Sequence, residues 1–498
     1  MALAGMRPVG CCGTENAVVC MSSGGGVANI QNPLWTLAQV LLATGGRLVS
    51  GPAEAVFRRV CTDSRAVAAG DIFVALAGDK HDGHDFLAAV VQKGASCLVV
   101  SRLPEETMEA AIVLVRDTLV ALGDLAAYRR SLMPGLQVLA ITGSSGKTTV
   151  KEMTAAILAG KHAVLKTQGN YNNLVGLPLS LLPVEIHHDF AVLEMGMNQP
   201  GEIARLTEIA DPDIACITNV QDAHLAGLKN IAGVARAKGE LFAGLKTWGK
   251  VVVNLDDKRV RALARRCGQE KITFGRRPRA DVRATRLKSL GEQGMAFTLR
   301  IGGESARVRI RGLGAHNVQN ALAAAGMAHA ACLEFKDIVD GLQSFQPFEK
   351  RLQVQKLPGG VRLLNDAYNA NPSSMLAALE TVREMDRLHR KVAVLGDMLE
   401  LGTGSAEAHR KLGLAVARLG FDYLLAVGAF SRDLVEGGRS AGMEKGRALC
   451  FADKGALGHW LRKSMQKGLL TQGDWILLKG SRGMRMETIA QELTEKQG

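Results

Sequence analysis

Positions 138–149 read Val-Leu-Ala-Ile-Thr-Gly-Ser-Ser-Gly-Lys-Thr-Thr, and this stretch constrains the fold more than any other. An apolar run enters it and a helical pattern over 150–158 leaves it, so it predicts strand, glycine turn, helix. Gly143 and Gly146 allow a turn tight enough for the backbone N–H groups around Ser144 and Ser145 to converge on one anion. The helix start, with Thr149 in its first turn, adds a positive dipole end. Lys147 supplies a charge for outer phosphates, and Thr148 a hydroxyl for Mg²⁺. Such loops usually carry a glycine five residues before the second one. That position is Ile141, so the loop is a shortened variant opening at Gly143. A glycine turn with an incidental lysine is the competing reading, and the flanking strand and helix weigh against it.

With 498 residues the chain has room for about three domains. Its net charge of +13 comes from scattered basic residues, and aromatics are 4%. A nucleic-acid surface would show a basic block or stacking aromatics, so nucleic acid is not expected. The charge fits a solvated basic surface or attraction for small polyanions. Nine cysteines, without a Cys-x-x-Cys pair, resemble reduced thiols rather than a disulfide frame or a zinc site. No apolar run is long enough to span a bilayer, and the first thirty or so residues lack the pattern of a signal peptide. The expected compartment is the cytoplasm, and the expected state a monomer.

The predicted class is α/β in three domains after a flexible extension over 1–32. The first, 33–133, is a small α/β unit opening with a helix over 34–43. It has a strand into the turn Asp63-Ser64-Arg65, a buried strand over 71–76 and a polar loop over 78–86. Asp63-Ser64-Arg65 and that loop suit a diphosphate or sugar only weakly; a surface turn is the plainer reading. His81 and His84 read as solvated loop residues, and Arg129 to Gly135 as a linker. The second domain, 134–345, alternates strands (138–142, 190–195, 214–220, 250–255) with helices, which predicts a mostly parallel sheet. Antiparallel strands over 280–310 are appended, and an Ala-rich helix over 318–331 follows. The third, 346–498, repeats the doubly wound pattern without a Gly-x-Gly-x-x-Gly, so a nicotinamide dinucleotide is not indicated.

Ligands gather at the carboxyl ends of parallel strands, and the informative polar residues lie there. Glu194 closes one strand, Asn219 and His224 follow another, and Asn254, Asp256 and Asp257 a third. Thr148 and Glu194 form an oxygen pair suited to Mg²⁺. For Glu194, His224 and Lys238 the ordinary alternatives are a surface carboxylate, a loop histidine and a solvated lysine.

The motifs taken together resemble the Mur ligases, ATP-dependent amide ligases of peptidoglycan precursor synthesis. The resemblance runs from about Leu34 and rests on the phosphate loop, Thr167-Gln-Gly-Asn-Tyr-Asn-Asn173, Glu194-Met-Gly-Met197, 219–225, Ala237-Lys-Gly-Glu240 and Gly314-Ala-His-Asn-Val-Gln-Asn-Ala321. The third domain carries Asp366-Ala-Tyr-Asn-Ala-Asn-Pro-Ser-Ser-Met375, Leu395-Gly-Asp-Met-Leu-Glu-Leu-Gly402 and Lys479-Gly-Ser-Arg482. These look like the branch that adds D-alanyl-D-alanine to UDP-N-acetylmuramoyl-tripeptide. The Asp-Asn-Pro-Arg of the branch adding the third peptide residue is not visible. The resemblance implies an acyl phosphate formed on the tripeptide carboxylate and captured by the dipeptide amine. It implies ATP and two Mg²⁺, one held by Thr148 and Glu194 and a second by His224, with Lys147, Lys238 and His224 as catalytic groups. Lys238 matches a lysine that the family carbamylates. Asn254 and Asn317 would lie near the nucleotide, joined on closure by Arg351 and Asp366. Ser64 and Arg65 would contact the UDP part, and Tyr368, Asn369, Asn371 and Ser374 the dipeptide. Gln221-Asp222 stands where relatives often carry small or apolar residues. The alternatives are another ligase of the superfamily (diaminopimelate- or lysine-adding, or a folylpolyglutamate synthetase) or a non-catalytic nucleotide-binding regulator.

Overall fold

The computed structural model describes residues 34–78, 81–222, 225–347 and 352–494. His224 and Arg351 lie outside them, as does the extension over 1–32.

The central sheet has nine strands, in the order Glu304–Ile310, Met295–Ile301, Val282–Ser289, Glu270–Gly275, Lys250–Asn254, Ile214–Ile217, Gln137–Thr142, Phe190–Glu194, Val164–Lys166. From Val164–Lys166 through Val282–Ser289 the pairings are parallel, and the last two are antiparallel hairpin partners. The buried parallel strands are continuous apolar runs because helices cover both faces. Helices Lys147–Leu158 and Ala315–Ala330 pack on one face, where their Ala and Val positions form a core with Ile141, Val192 and Cys216. The strand Gln137–Thr142 is central, so the turn at its carboxyl end opens in the middle of the sheet edge, where parallel α/β proteins bind ligands.

A five-stranded sheet precedes it, in the order Arg47–Ser50, Ala111–Leu114, Cys97–Val100, Ile72–Val74, Val60–Cys61. A six-stranded sheet follows, in the order Gln353–Lys356, Arg362–Asn365, Trp475–Lys479, Lys391–Leu395, Tyr423–Val427, Ala448–Phe451; only its first pairing is antiparallel.

Three local expectations need correction. Residues 129–131 are not linker but the last turn of the helix Thr118–Ser131. Arg129 Nε donates to Val184 O at 3.2 Å and Arg130 Nη1 to Met133 O at 2.9 Å, and both arginines are buried. Their charge reads as surface in the sequence, but the Val184 and Met133 carbonyls accept from it, and Arg130 Nη2 also lies 3.5 Å from Asp213 Oδ2. Leu122 and Leu125 of this helix share one apolar core with Val138, Ala191 and Ile217 of the central sheet and with Ile203 and Ile209 of the helix Glu202–Ala210. His84 is not solvated: Ser101 N–H donates to its Nε2 at 3.0 Å, so Nδ1 carries the proton and donates to Asp82 Oδ1 at 2.7 Å. Its side chain is 2% exposed. The first helix is Leu37–Thr44, later than expected, because Thr36 forms a capping box with Gln39.

Candidate functional site: a nucleotide cage facing the third sheet

The phosphate loop sits where the strand Gln137–Thr142 gives way to the helix Lys147–Leu158. Gly143 and Gly146 are required by crowding. A Cβ at Gly143 would overlap Thr218 Oγ1, and one at Gly146, which has φ 82°, would overlap Asn320 Oδ1. The loop is braced from the next strand. Thr218 Oγ1 donates to Ser145 O at 2.7 Å, and Ser145 N–H donates to Asn219 Oδ1 at 3.0 Å. Ser144 Oγ donates to Gln221 O at 3.0 Å. The Gln221 side chain joins in as well, its Oε1 accepting from Ser145 Oγ at 3.3 Å. Lys147 Nζ folds back to Gly143 O at 2.9 Å, capping the turn with the charge that a polyphosphate needs.

Thr148 Oγ1 donates to Glu194 Oε2 at 2.7 Å, and Asn172 Nδ2 donates to Glu194 Oε1 at 2.7 Å. Glu194 is 2% exposed, so its charge is desolvated and its orientation held from both oxygens. The result is a buried hydroxyl and carboxylate pair, the hard-oxygen donor set that Mg²⁺ takes. Among the described residues no group of three His, Cys, Asp or Glu side chains could hold a metal. His224, the third expected ligand, lies outside them.

Lys238 is on the helix Ile231–Ala243 and 1% exposed. Burial, with the Lys147 ammonium adding repulsion, pushes its pKa well below the ordinary lysine value. It has no hydrogen-bond or ion-pair partner among the described residues. A lysine in that position is poised to be neutral, which is the form that reacts with CO₂.

One cleft of about 800 Å³ contains the loop from Ser144 to Thr149, Glu194, Asn254 and Asn317 on one wall, and Asp366, Tyr368, Asn369, Asn371 and Ser374 on the other. Asn254 Nδ2 donates to Thr218 O at 2.7 Å, and Asn317 Nδ2 to Leu313 O at 2.7 Å, so both amides are fixed. Asp366 Oδ2 pairs with Lys479 Nζ at 2.5 Å. Asn371 caps the helix Pro372–Met385: Ser374 N–H donates to its Oδ1 at 2.9 Å, and Ser374 Oγ completes the box. The same side chain bridges to the phosphate loop, where Nδ2 donates to Ser145 Oγ at 3.2 Å and to Ser144 O at 3.4 Å. His316 lines the junction, and burial lowers its pKa to about 4 although Asp366 draws it upward.

Ser64 and Arg65 are not in this cleft. Ser64 O accepts from Lys93 Nζ at 2.9 Å, and exposed Arg65 is engaged with Asp63 at 2.8 Å, holding that carboxyl down to about 2. Reading the sequence missed Asn172, Thr218, Asn320 and Lys479 as site residues. Asn172, Asn320 and Lys479 lie inside motifs quoted for the resemblance, so the signal was present; what each side chain touches was not.

Three family models match in order along the chain: Mur ligase family, catalytic domain (56–130), Mur ligase middle domain (141–328), and Mur ligase, glutamate ligase domain (350–482). The UDP-N-acetylmuramoyl-tripeptide--D-alanyl-D-alanine ligase of Escherichia coli (strain K12) is 37% identical over 92% of this chain and 98% of its own length. That of Bacillus subtilis (strain 168) is 36% identical over 89% and 94%. A crystal structure of MurF from Acinetobacter baumannii superposes with a TM-score of 0.86 at 37% identity, covering 94% of this chain and all of that one. MurF ligase from Thermotoga maritima in complex with ADP gives 0.78 at 28% identity, with coverages of 88% and 97%. The braced phosphate loop, its metal-competent oxygen pair and the likeness along almost the whole described chain have one common explanation: this protein belongs to the Mur ligase family.

Proposed function

We infer that the chain is an ATP-dependent amide ligase that joins D-alanyl-D-alanine to UDP-N-acetylmuramoyl-tripeptide, the last cytoplasmic step in assembling the UDP-muramoyl-pentapeptide. The observation that carries the reading is the contact of Asn371 with Ser144 and Ser145, which sets the third-sheet motif against the phosphate loop. A ligase that activates an acid with ATP and captures it with an amine needs those two walls in one cleft. The likeness, over 89% and 92% of the chain, to two relatives named UDP-N-acetylmuramoyl-tripeptide--D-alanyl-D-alanine ligase supports the amine.

A carboxylate is a poor electrophile at neutral pH, and ATP with Mg²⁺ supplies the phosphoryl group that gives it a leaving group. The chain's residues provide the rest. The loop N–H groups and the helix start hold polyphosphate oxygens, and Lys147 offsets the repulsion between two anions brought together. Thr148 and Glu194 would hold the Mg²⁺, since their oxygens already converge. Lys238 would act as its carbamate, formed when the neutral amine takes up CO₂ and releases a proton. That exchange turns a buried would-be cation beside Lys147 into an anion that complements it. Asn254 and Asn317 would orient the nucleotide, and Asp366 would meet it from the third sheet; the same role for Arg351 rests on the family resemblance alone. Ser64 and Arg65 would receive the UDP end, away from the main cleft. Tyr368, Asn369, Asn371 and Ser374 form the wall against which the dipeptide lies. One chain supplies both walls, which supports a monomer. Among the described residues no helix is long and apolar enough to cross a membrane.

The test is ADP release with UDP-N-acetylmuramoyl-tripeptide and a panel of amines. D-alanyl-D-alanine is expected to drive release, while diaminopimelate, lysine and glutamate leave it at background. Release driven by one of the latter would replace this reading with another branch of the family.

A further inference from the structure

In Lys479-Gly480-Ser481-Arg482 the arginine stands apart from the phosphate loop, the Thr148–Glu194 pair and the Asn371 bridge. The strand Trp475–Lys479 ends at the cleft, and Lys479 is spent there. Its Nζ meets Asp366 Oδ2 at 2.5 Å and Asn369 O at 2.9 Å, and its side chain is 3% exposed. Ser481 then locks the turn on both sides. Its N–H donates to Asp397 O at 3.0 Å, its Oγ accepts from Leu399 N–H at 2.8 Å, and Oγ lies 3.4 Å from Ala370 O. Arg482 projects from this fixed turn into the cleft beside Tyr368, with its guanidinium 5.9 Å from the ring centre. Nη1 donates to Glu487 Oε1 at 2.9 Å, and the Glu487 side chain is 11% exposed, so a buried carboxylate sets the plane of the guanidinium. The arginine side chain itself is 58% exposed, and its other donors have no hydrogen-bond partner among the described residues.

We infer that Arg482 receives the free carboxylate of the incoming dipeptide and thereby selects a dipeptide over a single amino acid; this rests on the ligase reading above. The amine has to attack beside the phosphate loop, at the end of the wall where Asn371 touches Ser145. An extended dipeptide reaches about 7 Å, so its carboxylate falls well away from that end. An anion there needs a cation with donors to spare. Lys479 is committed to Asp366, Lys147 to the loop carbonyl, and Lys258 and Arg259 stand at the start of a helix after the central strand Lys250–Asn254. Arg482 remains. With one edge held by Glu487, a guanidinium still presents a fork of N–H groups that matches a carboxylate. In a single amino acid the carboxylate is one residue closer to the amine and falls short of this fork.

The experiment measures ADP release by the native protein and by Arg482→Gln, with ATP and UDP-N-acetylmuramoyl-tripeptide saturating. The amines are D-alanyl-D-alanine and D-alanyl-D-alaninamide, which lacks the charge. Loss of a charge-assisted pair corresponds to a factor of about 10 to 100 in affinity. The native KM is expected to be higher for the amide by that factor. In Arg482→Gln the KM for the acid rises by the same factor and the KM for the amide stays within about twofold, so the preference disappears. Turnover of the amide by the variant shows that it is folded. A native protein indifferent to the amide, or a variant that keeps the preference, overturns the assignment of Arg482 alone. No release with either amine in the native protein overturns the ligase reading, and this inference with it.

Discussion

Asn371→Asp separates two tasks that one side chain performs. The Oδ1 atom caps the helix Pro372–Met385, and aspartate caps as well as asparagine, so the helix start survives. The Nδ2 atom donates to Ser145 Oγ and Ser144 O, and aspartate has no donor to offer. Each such bond contributes about 0.5–1.5 kcal/mol, and the contact at 3.4 Å belongs at the lower end. The lost bridge is therefore worth about 1–2 kcal/mol, or roughly 5- to 30-fold in KM for ATP, before counting the new carboxylate facing a polyphosphate. The assay is paired. Thermal unfolding should be within about 2 °C of native, as expected for a retained cap. ADP release should show the raised KM for ATP at the same kcat within a few fold. Asn371→Ala, the companion variant, loses both functions and is expected to be less stable by about 1 kcal/mol as well. A native KM for ATP in Asn371→Asp would refute the claim that the third-sheet wall reaches the nucleotide through this residue.

Gly143→Ala places a methyl group on Thr218 Oγ1 and should abolish nucleotide binding in calorimetry, while Thr218→Ala together with Gly143→Ala recovers part of it. Lys147→Ala should abolish ADP production with the circular-dichroism spectrum unchanged; an unchanged rate removes the phosphate-loop assignment. Glu194→Gln keeps the contact to Thr148 but removes the charge, so the Mg²⁺ concentration for half-maximal rate should rise about tenfold or more, read from a metal titration. His316, held neutral down to about pH 4 against about 6.5 when unfolded, makes the unfolded state bind more protons between those values. Its contribution to stability is therefore lost as pH falls from 6.5 towards 4, and His316→Gln should show a smaller drop in urea midpoint over that window than the native protein. An identical drop would count against the desolvation of that imidazole.

The sheets were legible because period and punctuation agree: apolar runs such as Val138 to Ile141 and Val251 to Val253 end in the polar residues that mark ligand edges. The nucleotide cage was legible because glycine, lysine and threonine at fixed spacing have a local purpose. What the sequence could not display were tertiary partners. Nothing local says that Arg129 and Arg130 end a buried helix, since their partners are the carbonyls of Val184, far along the chain, and Met133 in the next turn, and the carboxylate of distant Asp213. His84 looked solvated because its acceptor bond comes from Ser101 on a neighbouring strand end. Asn172 and Asn320 stand inside family motifs, but only the fold brings one to Glu194 and the other to Gly146. Arg482 is the same kind of case: its meaning lies in Tyr368 and Glu487 around it.

The claim on which the account depends is that the tripeptide's own carboxylate takes the terminal phosphoryl group of ATP in this cleft. Its most direct test is oxygen tracing. UDP-N-acetylmuramoyl-tripeptide labelled with ¹⁸O in its terminal carboxylate is turned over with ATP and D-alanyl-D-alanine, and the inorganic phosphate is examined by mass spectrometry. One labelled oxygen is expected in each phosphate released, because the acyl–oxygen bond breaks when the amine attacks. Phosphate carrying no label, or label recovered in AMP, would contradict it.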